Sequence, residues 1–277
     1  MAALLVAAGC GDEEGGDERP AVSDPGPVHV HGLGINPKDG ALFIATHTGL
    51  FRAGPTETKA TRVGGRFQDT MGFTVVGPDR FLGSGHPDPR DDLPPFLGLI
   101  ESTDAGRSWR AVSRQGESDF HALEAEGSQV YGFGSDYETR KPQFLASADG
   151  GRTWQERTIP ESLIALALGP DDPDHLIASG ERSLYESTDG GRRWTRLADG
   201  AGAVAWPARD RLYLIDGTGG VQLSADGGRR WKAVGHVGGH PAAFEAEAAD
   251  DLYVALHDGT VKRSTDGGVS WRVRSAP

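Results

Sequence analysis

Nine histidines occur in the chain, and seven of them fall in short motifs rich in glycine and small residues. These are HVHGL (His29 and His31), THTG (His47), GSGHP (His86), DFHAL (His121), GGHP (His240) and LHDG (His257). A methionine, Met71 in DTMGF, stands in a similar setting, and Asp69 and Asp119 lie just before Met71 and His121. Imidazole is the commonest protein ligand for transition metals. A thioether beside imidazoles favours copper over zinc, whereas hard cations want carboxylates. The aspartates are placed to orient the rings as hydrogen-bond acceptors. Whether these residues meet depends on the elements that carry them.

The chain has 277 residues, with 41 glycines, 17 prolines and a formal charge of -12. A surface of that sign repels phosphate backbones, so nucleic acid is excluded as a partner. Many glycines with scattered aromatics predict short strands joined by tight turns. The single cysteine, Cys10, rules out an internal disulfide.

Five segments share Ser-x-Asp-x-Gly-x-x-Trp: STDAGRSW, SADGGRTW, STDGGRRW, SADGGRRW and STDGGVSW. Their aspartates are Asp104, Asp149, Asp189, Asp226 and Asp266, at steps of 45, 40, 37 and 40 residues. A period of this size signals stacked structural units. The carboxylate suits backbone N–H groups of its own turn, glycine permits the turn, and tryptophan offers a large packing face. A sixth unit, beginning at His31, runs into PTETKATRVGG, where the motif has decayed.

These motifs resemble the Asp-box, or BNR, repeat of sialidase-like β-propellers. The resemblance implies an all-β, six-bladed propeller over 28–277, with Asp-box turns between the third and fourth strands of each blade. It overrides local propensity in ESDFHALEAEG and HPAAFEAEAADD, which are good helix formers but fall in register as inner strands. Residues 27–31 are expected to supply a closing strand. In this family the box turn lies opposite the usual ligand face, so the opposite rim is where chemistry is expected.

Aligned inner-strand starts place His31, Met71, His121, Ile164, Ala203 and Ala242 at equivalent positions. His47, His86 and His257 then fall in loops after second strands, and His240 on the approach to blade six. The candidate metal ligands are thus His31, Met71, His121, His86 and His47, with copper as the expected ion. Two insertions, GHPDPRDDLPPFLG and GSDYETRKPQF, leave the same rim and bring Arg90, Asp91, Asp92, Tyr137, Glu138 and Arg140. Long loops on a rigid scaffold commonly carry ligand contacts. The expected ligand rim comprises Asp69, Asp119, Arg90, Tyr137, Arg140, Arg182, His240 and His257.

Sialidases of this repeat class use three arginines, a tyrosine nucleophile and acidic partners. Arg90, Arg140, Arg182 and Tyr137 are available here, but no spacing singles them out. The chain also resembles bacterial secreted proteins labelled glycosyl hydrolase or exo-alpha-sialidase largely because of the boxes. Asp-box propellers include assembly factors of the photosystem II stability type and receptors of the sortilin type. Non-catalytic binding of an unidentified ligand or protein is therefore the leading expectation, by a monomer, with glycoside hydrolysis as the alternative.

The N-terminal LLVAAGC resembles the end of a bacterial lipoprotein signal peptide, with residues 1–10 as its remnant and Cys10 as the lipidated residue. Residues 11–27 are acidic and rich in glycine and proline. Such a composition buries too little to fold and reads as a disordered tether. The expected location is extracytoplasmic, on the cell membrane through the lipid alone.

Overall fold

The computed structural model describes residues 24–277. Cys10 and the rest of the signal-peptide remnant lie outside them, as does the tether up to residue 23. The described residues form six four-stranded antiparallel sheets and no helix. Every sheet takes four consecutive strands in chain order. Blade one holds β1 (Val30–Ile35), β2 (Leu42–Thr46), β3 (Gly49–Ala53) and β4 (Thr61–Arg62). The inner strands of blades two to six are β5 (Asp69–Gly77), β9 (Ser118–Glu126), β13 (Leu163–Gly169), β17 (Ala203–Ala208) and β21 (Pro241–Ala248). Both helix-prone segments are inner strands, because their alternate residues reach apolar seams on the two sheet faces.

Six apolar clusters hold the ring, one at each junction between neighbouring blades. Phe43 of blade one meets Phe81 of blade two edge-on at 4.7 Å, a favoured aromatic geometry. Tyr131 and Phe144 pack from blade three against Leu166 and Leu176 of blade four.

The repeat turns lock these seams. Ser147 Oγ donates to Asp149 Oδ1 and accepts from the Gly151 N–H at 2.9 Å. Asp149 Oδ1 also accepts the N–H groups of Arg152 and Thr153, each at 2.9 Å. The serine and aspartate contacts recur in the turns at Ser102, Ser187, Ser224 and Ser264. These bonds favour the ionised carboxylate, so the acidity of Asp149, Asp189 and Asp266 is raised. The glycine does more than permit a turn. A Cβ on Gly191, whose φ is 78°, would lie 2.4 Å from Phe144 of the preceding blade. At Gly151 the equivalent neighbour is Leu99, at 2.0 Å. The turn backbone thus seats directly on the previous blade's core.

Ring closure departs from the sequence expectation. Val30–Ile35 is blade one's own inner strand, and blade six is completed by its own fourth strand, β24 (Arg272–Ser275). Among the described residues, no blade borrows a terminal strand. Blade one has lost its box, and Arg274 replaces it by donating to the carbonyls of Gly54 and Glu57, at 2.7 and 2.6 Å. A parallel bridge between Lys59 and Ala276 and the apolar seam of Ile44, Phe51, Tyr253 and Val261 complete the junction. The last residues of the expected tether are held as well: Arg62 Nε and Nη2 donate to Asp24 at 2.8 and 2.6 Å.

Gly191→Ala should lose about 2–4 kcal/mol in urea unfolding, from strained backbone plus overpacking against Phe144. Gly127→Ala, at φ 60° with nothing within 4 Å, should lose only about 1–2 kcal/mol. Equal losses would mean that the turn glycine does not interlock the blades.

Candidate functional site

Near the start of five of the six inner strands one extra residue interrupts the pairing with the second strand, whereas in β17 of blade five the irregularity falls later, between Ala205 and Ala208. The bulge falls at His31, at Met71–Gly72, at His121, at Ile164 and at Ala242. A bulge re-aims a side chain out of the regular pleat. All five positions, with Ala203 of blade five, line one axial cavity of about 330 Å³. Blades one to three present His, Met and His to it. Blades four to six present Ile, Ala and Ala, so the cavity is chemically two-sided.

The imidazoles gather with two carboxylates where this cavity meets the rim. Asp69 opens β5 and is 7% exposed. His47 Nδ1 lies 2.9 Å from its Oδ2, and His31 Nε2 lies 3.5 Å from its Oδ1. The potential ligand atoms of His31, His47 and Asp69 all lie within 4.8 Å of one another. Asp119, in β9, is 4% exposed. His121 Nε2 donates to its Oδ2 at 2.9 Å, and His86 Nε2 stands 3.6 Å from the same oxygen. His86 ends β6 (Arg80–His86) directly opposite Asp69 in the pairing of β5 and β6. Among the described residues, His31 Nε2, Asp69 Oδ1 and Asp119 Oδ1 are buried without a hydrogen-bond partner.

Burial pushes the His31 imidazolium down to about 4, reinforced by the nearby His47, His121 and His29 rings. His31 is therefore neutral at pH 7 and presents a lone pair. Burial raises Asp69, against the pull of His47 and His86. The bond to Asp119 raises His121, against burial. Such an array of imidazoles and carboxylates, with His31 held neutral, is suited to a divalent transition metal.

The other rim residues have separate local partners. Arg90 donates to the buried Asp88 from Nε and Nη2, at 2.8 and 2.5 Å, and so fastens the blade-two insertion upon itself. Tyr137 packs edge-on against Phe96 at 5.2 Å, and Arg140 covers Tyr137 at 4.9 Å. These contacts join the two insertions. The Arg182 N–H donates to Glu161 on blade four at 2.8 Å. His240 Nδ1 bonds to the Gly217 carbonyl at 2.9 Å, and the His257 N–H donates to the His240 carbonyl at 3.1 Å. None of Arg90, Arg140, Arg182 and Tyr137 lines the axial cavity.

The sequence reading missed two carboxyls on the cavity wall, Glu124 and Glu245. Each lies three residues after an aligned bulge position, His121 or Ala242, so extending the alignment by one turn of the pleat would have found them. Burial pushes Glu124 up to about 8. Burial also raises Glu245 well above the carboxylate range, and the charge of Glu124 adds to it.

Comparisons with known proteins give a propeller and no family. Residues 98–217 match the family model described as Sortilin-Vps10, neurotensin receptor 3. The human VPS10 domain-containing receptor SorCS2 is 29% identical over 107 residues, which are 36% of this chain and 9% of the receptor. This chain thus matches only a small part of that relative's length. Among solved structures, a luciferin-regenerating enzyme aligns with a TM-score of 0.61 at 11% identity, covering 92% of this chain and 96% of that one. YCF48 bound to a D1 peptide aligns with a TM-score of 0.55 at 13% identity, covering 90% and 83%. At such identities the likeness is one of fold.

The raised carboxyls set a pH dependence. The folded chain keeps Glu124 protonated where the unfolded chain, near 4.5, has released the proton. Its contribution to stability is full below about pH 4.5 and is lost as pH rises towards 8. Glu124→Gln should therefore gain roughly 1–3 kcal/mol over the parent at pH 8.5, allowing for screening by channel water, and little at pH 4. Chemical denaturation at both pH values checks this, and an equal effect at both would contradict it.

Proposed function

We propose that this chain is an Asp-box propeller of the sialidase-like superfamily that acts as a non-catalytic binding protein, with a divalent transition metal held on its rim by His31, His47 and Asp69. The observation that carries the reading is the buried pair His31 Nε2 and Asp69 Oδ1, 3.5 Å apart and without hydrogen-bond partners. Leaving buried polar atoms unpaired costs about 1–3 kcal/mol each. A cation between them would remove that cost at both atoms.

Copper(II) is the favoured ion, since a nitrogen and oxygen site follows the order in which copper binds tightest among first-row divalent metals. The reason differs from the sequence argument. Asp69 joins the imidazoles directly, while Met71 belongs to the cavity wall. Lipidation at Cys10 would set the propeller outside the cytoplasmic membrane, where such ions are met. A sialidase-like activity draws no support from the separate settings of Arg90, Arg140 and Arg182. A receptor or assembly role is the second reading, favoured by the sortilin match and by the fold shared with a peptide-bound YCF48.

Copper(II) titration against a competing chelator should show binding that weakens by about 100-fold or more in His31→Ala/His47→Ala. Met71→Leu should change affinity by less than about threefold, because imidazole and carboxylate suffice for the ion. Equal affinity of the double variant and the parent would remove the proposal.

A further inference from the structure

Below the rim the axial cavity has a wall that the proposed metal does not use, and we infer that it binds a short aliphatic diamine, held end to end between Glu124 and Glu245. This goes beyond the metal site and does not depend on it.

The two glutamates hold equivalent places on opposed blades. Glu124 pairs with Tyr131 in blade three, and Glu245 pairs with Tyr253 in blade six. Each stands three residues after its blade's bulge, where blades one, two and four carry the uncharged Gly34, Thr74 and Ala167. The inner strands adjoin in the cyclic order β1, β5, β9, β13, β17, β21. Blades three and six therefore face each other across the axis. Both glutamates line the cavity and are only half-buried, so a molecule in the cavity can reach them.

Nothing on this wall supplies their counter-charge. Among the described residues, no lysine or arginine lines the cavity. Of its two imidazoles, His121 is committed to Asp119 at 2.9 Å, and His31 is held neutral by burial. The Tyr131 hydroxyl is turned away and donates to Asp174 at 2.6 Å. Burial pushes Glu124 up to about 8. Glu245 is raised by burial and by the charges of Glu124 and Glu247. A cation from outside the chain would stabilise both ionised carboxylates.

The remainder of the wall selects the kind of cation. Phe73, Ile164, Leu166, Val204 and Phe244 present hydrocarbon to the cavity. A calcium ion takes about 6–8 oxygen ligands, and two carboxyls on an apolar wall do not provide them. A diamine matches both features: its ammonium ends meet the carboxylates, and its methylenes leave water for the apolar residues. The cavity, about 330 Å³, falls within the roughly 300–1,000 Å³ of small-molecule sites. Each ammonium replaces the proton held by one carboxyl, so about two protons pass to the buffer per diamine near neutral pH.

The test is calorimetric titration of putrescine into the full chain, stripped of metal by a chelator that is then dialysed away. Two buffers of different ionisation enthalpy report the protons released. Butylamine, butanol and calcium chloride are titrated in parallel. Putrescine should bind at least about tenfold tighter than butylamine, since one charged contact is lost, and butanol and calcium should give no saturable heat. Glu124→Gln and Glu245→Gln should each weaken putrescine by about 10–100-fold. Glu126→Gln, on the exposed end of β9, should leave affinity within about twofold, as a surface charge does. Circular dichroism melts of the variants serve as the folding control. Equal affinity in the parent and both channel variants means only general attraction to a chain of formal charge -12, and overturns the inference. So does equal affinity for putrescine and butylamine, binding without proton release, calcium binding lost in the same variants, or no binding. Any of these outcomes leaves the rim metal standing, because no metal is present, and failure of copper binding at the rim leaves the diamine site standing.

Discussion

The hydroxyl of the serine that opens each repeat turn is the contact on which the ring depends. It accepts the turn glycine's N–H and donates to the aspartate, and the aspartate in turn collects the following N–H groups. That network leaves the glycine backbone no freedom, and the glycine is pressed against the core of the preceding blade. Local hydrogen bonding thereby sets the angle between blades. A constant angle repeated around the axis brings the inner strands together, and only then do residues far apart in sequence share a rim. Blade one, without the motif, is the exception that shows the constraint. There Arg274 reaches across the closure to hold the carbonyls of the unboxed turn.

The rim inverts the logic of the seams. Seams are apolar, and most of their polar groups are paired within the turns, with Trp206 Nε1 and Gln129 Oε1 as exceptions. The rim buries two carboxylates and an imidazole whose free atoms find no donor or acceptor. Burying a charge without a partner is costly. The His31 ring, held near pKa 4 by burial and neighbouring imidazoles, is kept neutral. The channel glutamates lie deeper on the same wall and hold their protons for the same reason, desolvation. The channel wall thus keeps these two glutamates from adding negative charge at neutral pH.

Much of this was legible in the sequence because the repeat fixes register. The positions of His31, Met71 and His121 follow from counting along the blades, and the structure places them on one cavity wall together with Ile164, Ala203 and Ala242. The inner strands that look helical were assigned by the same counting. What the repeat cannot convey is direction. Whether Met71 or Asp69 faces the imidazoles depends on a bulge, and one inserted residue re-aims a side chain. The fastening of Arg90 to Asp88 is a contact within an insertion, where the period is broken. Ring closure was misjudged because the last strand's arginine, rather than an exchanged strand, joins the ends.

The most direct test of the proposed metal site on the rim is anomalous diffraction from crystals grown with copper(II) or zinc(II), recorded on both sides of the absorption edge. The expected result is a strong difference peak about 2.0–2.2 Å from His31 Nε2 and from an Asp69 oxygen. A rim without any peak, while metal occupies a surface pair such as His175 and Glu186, would contradict the account.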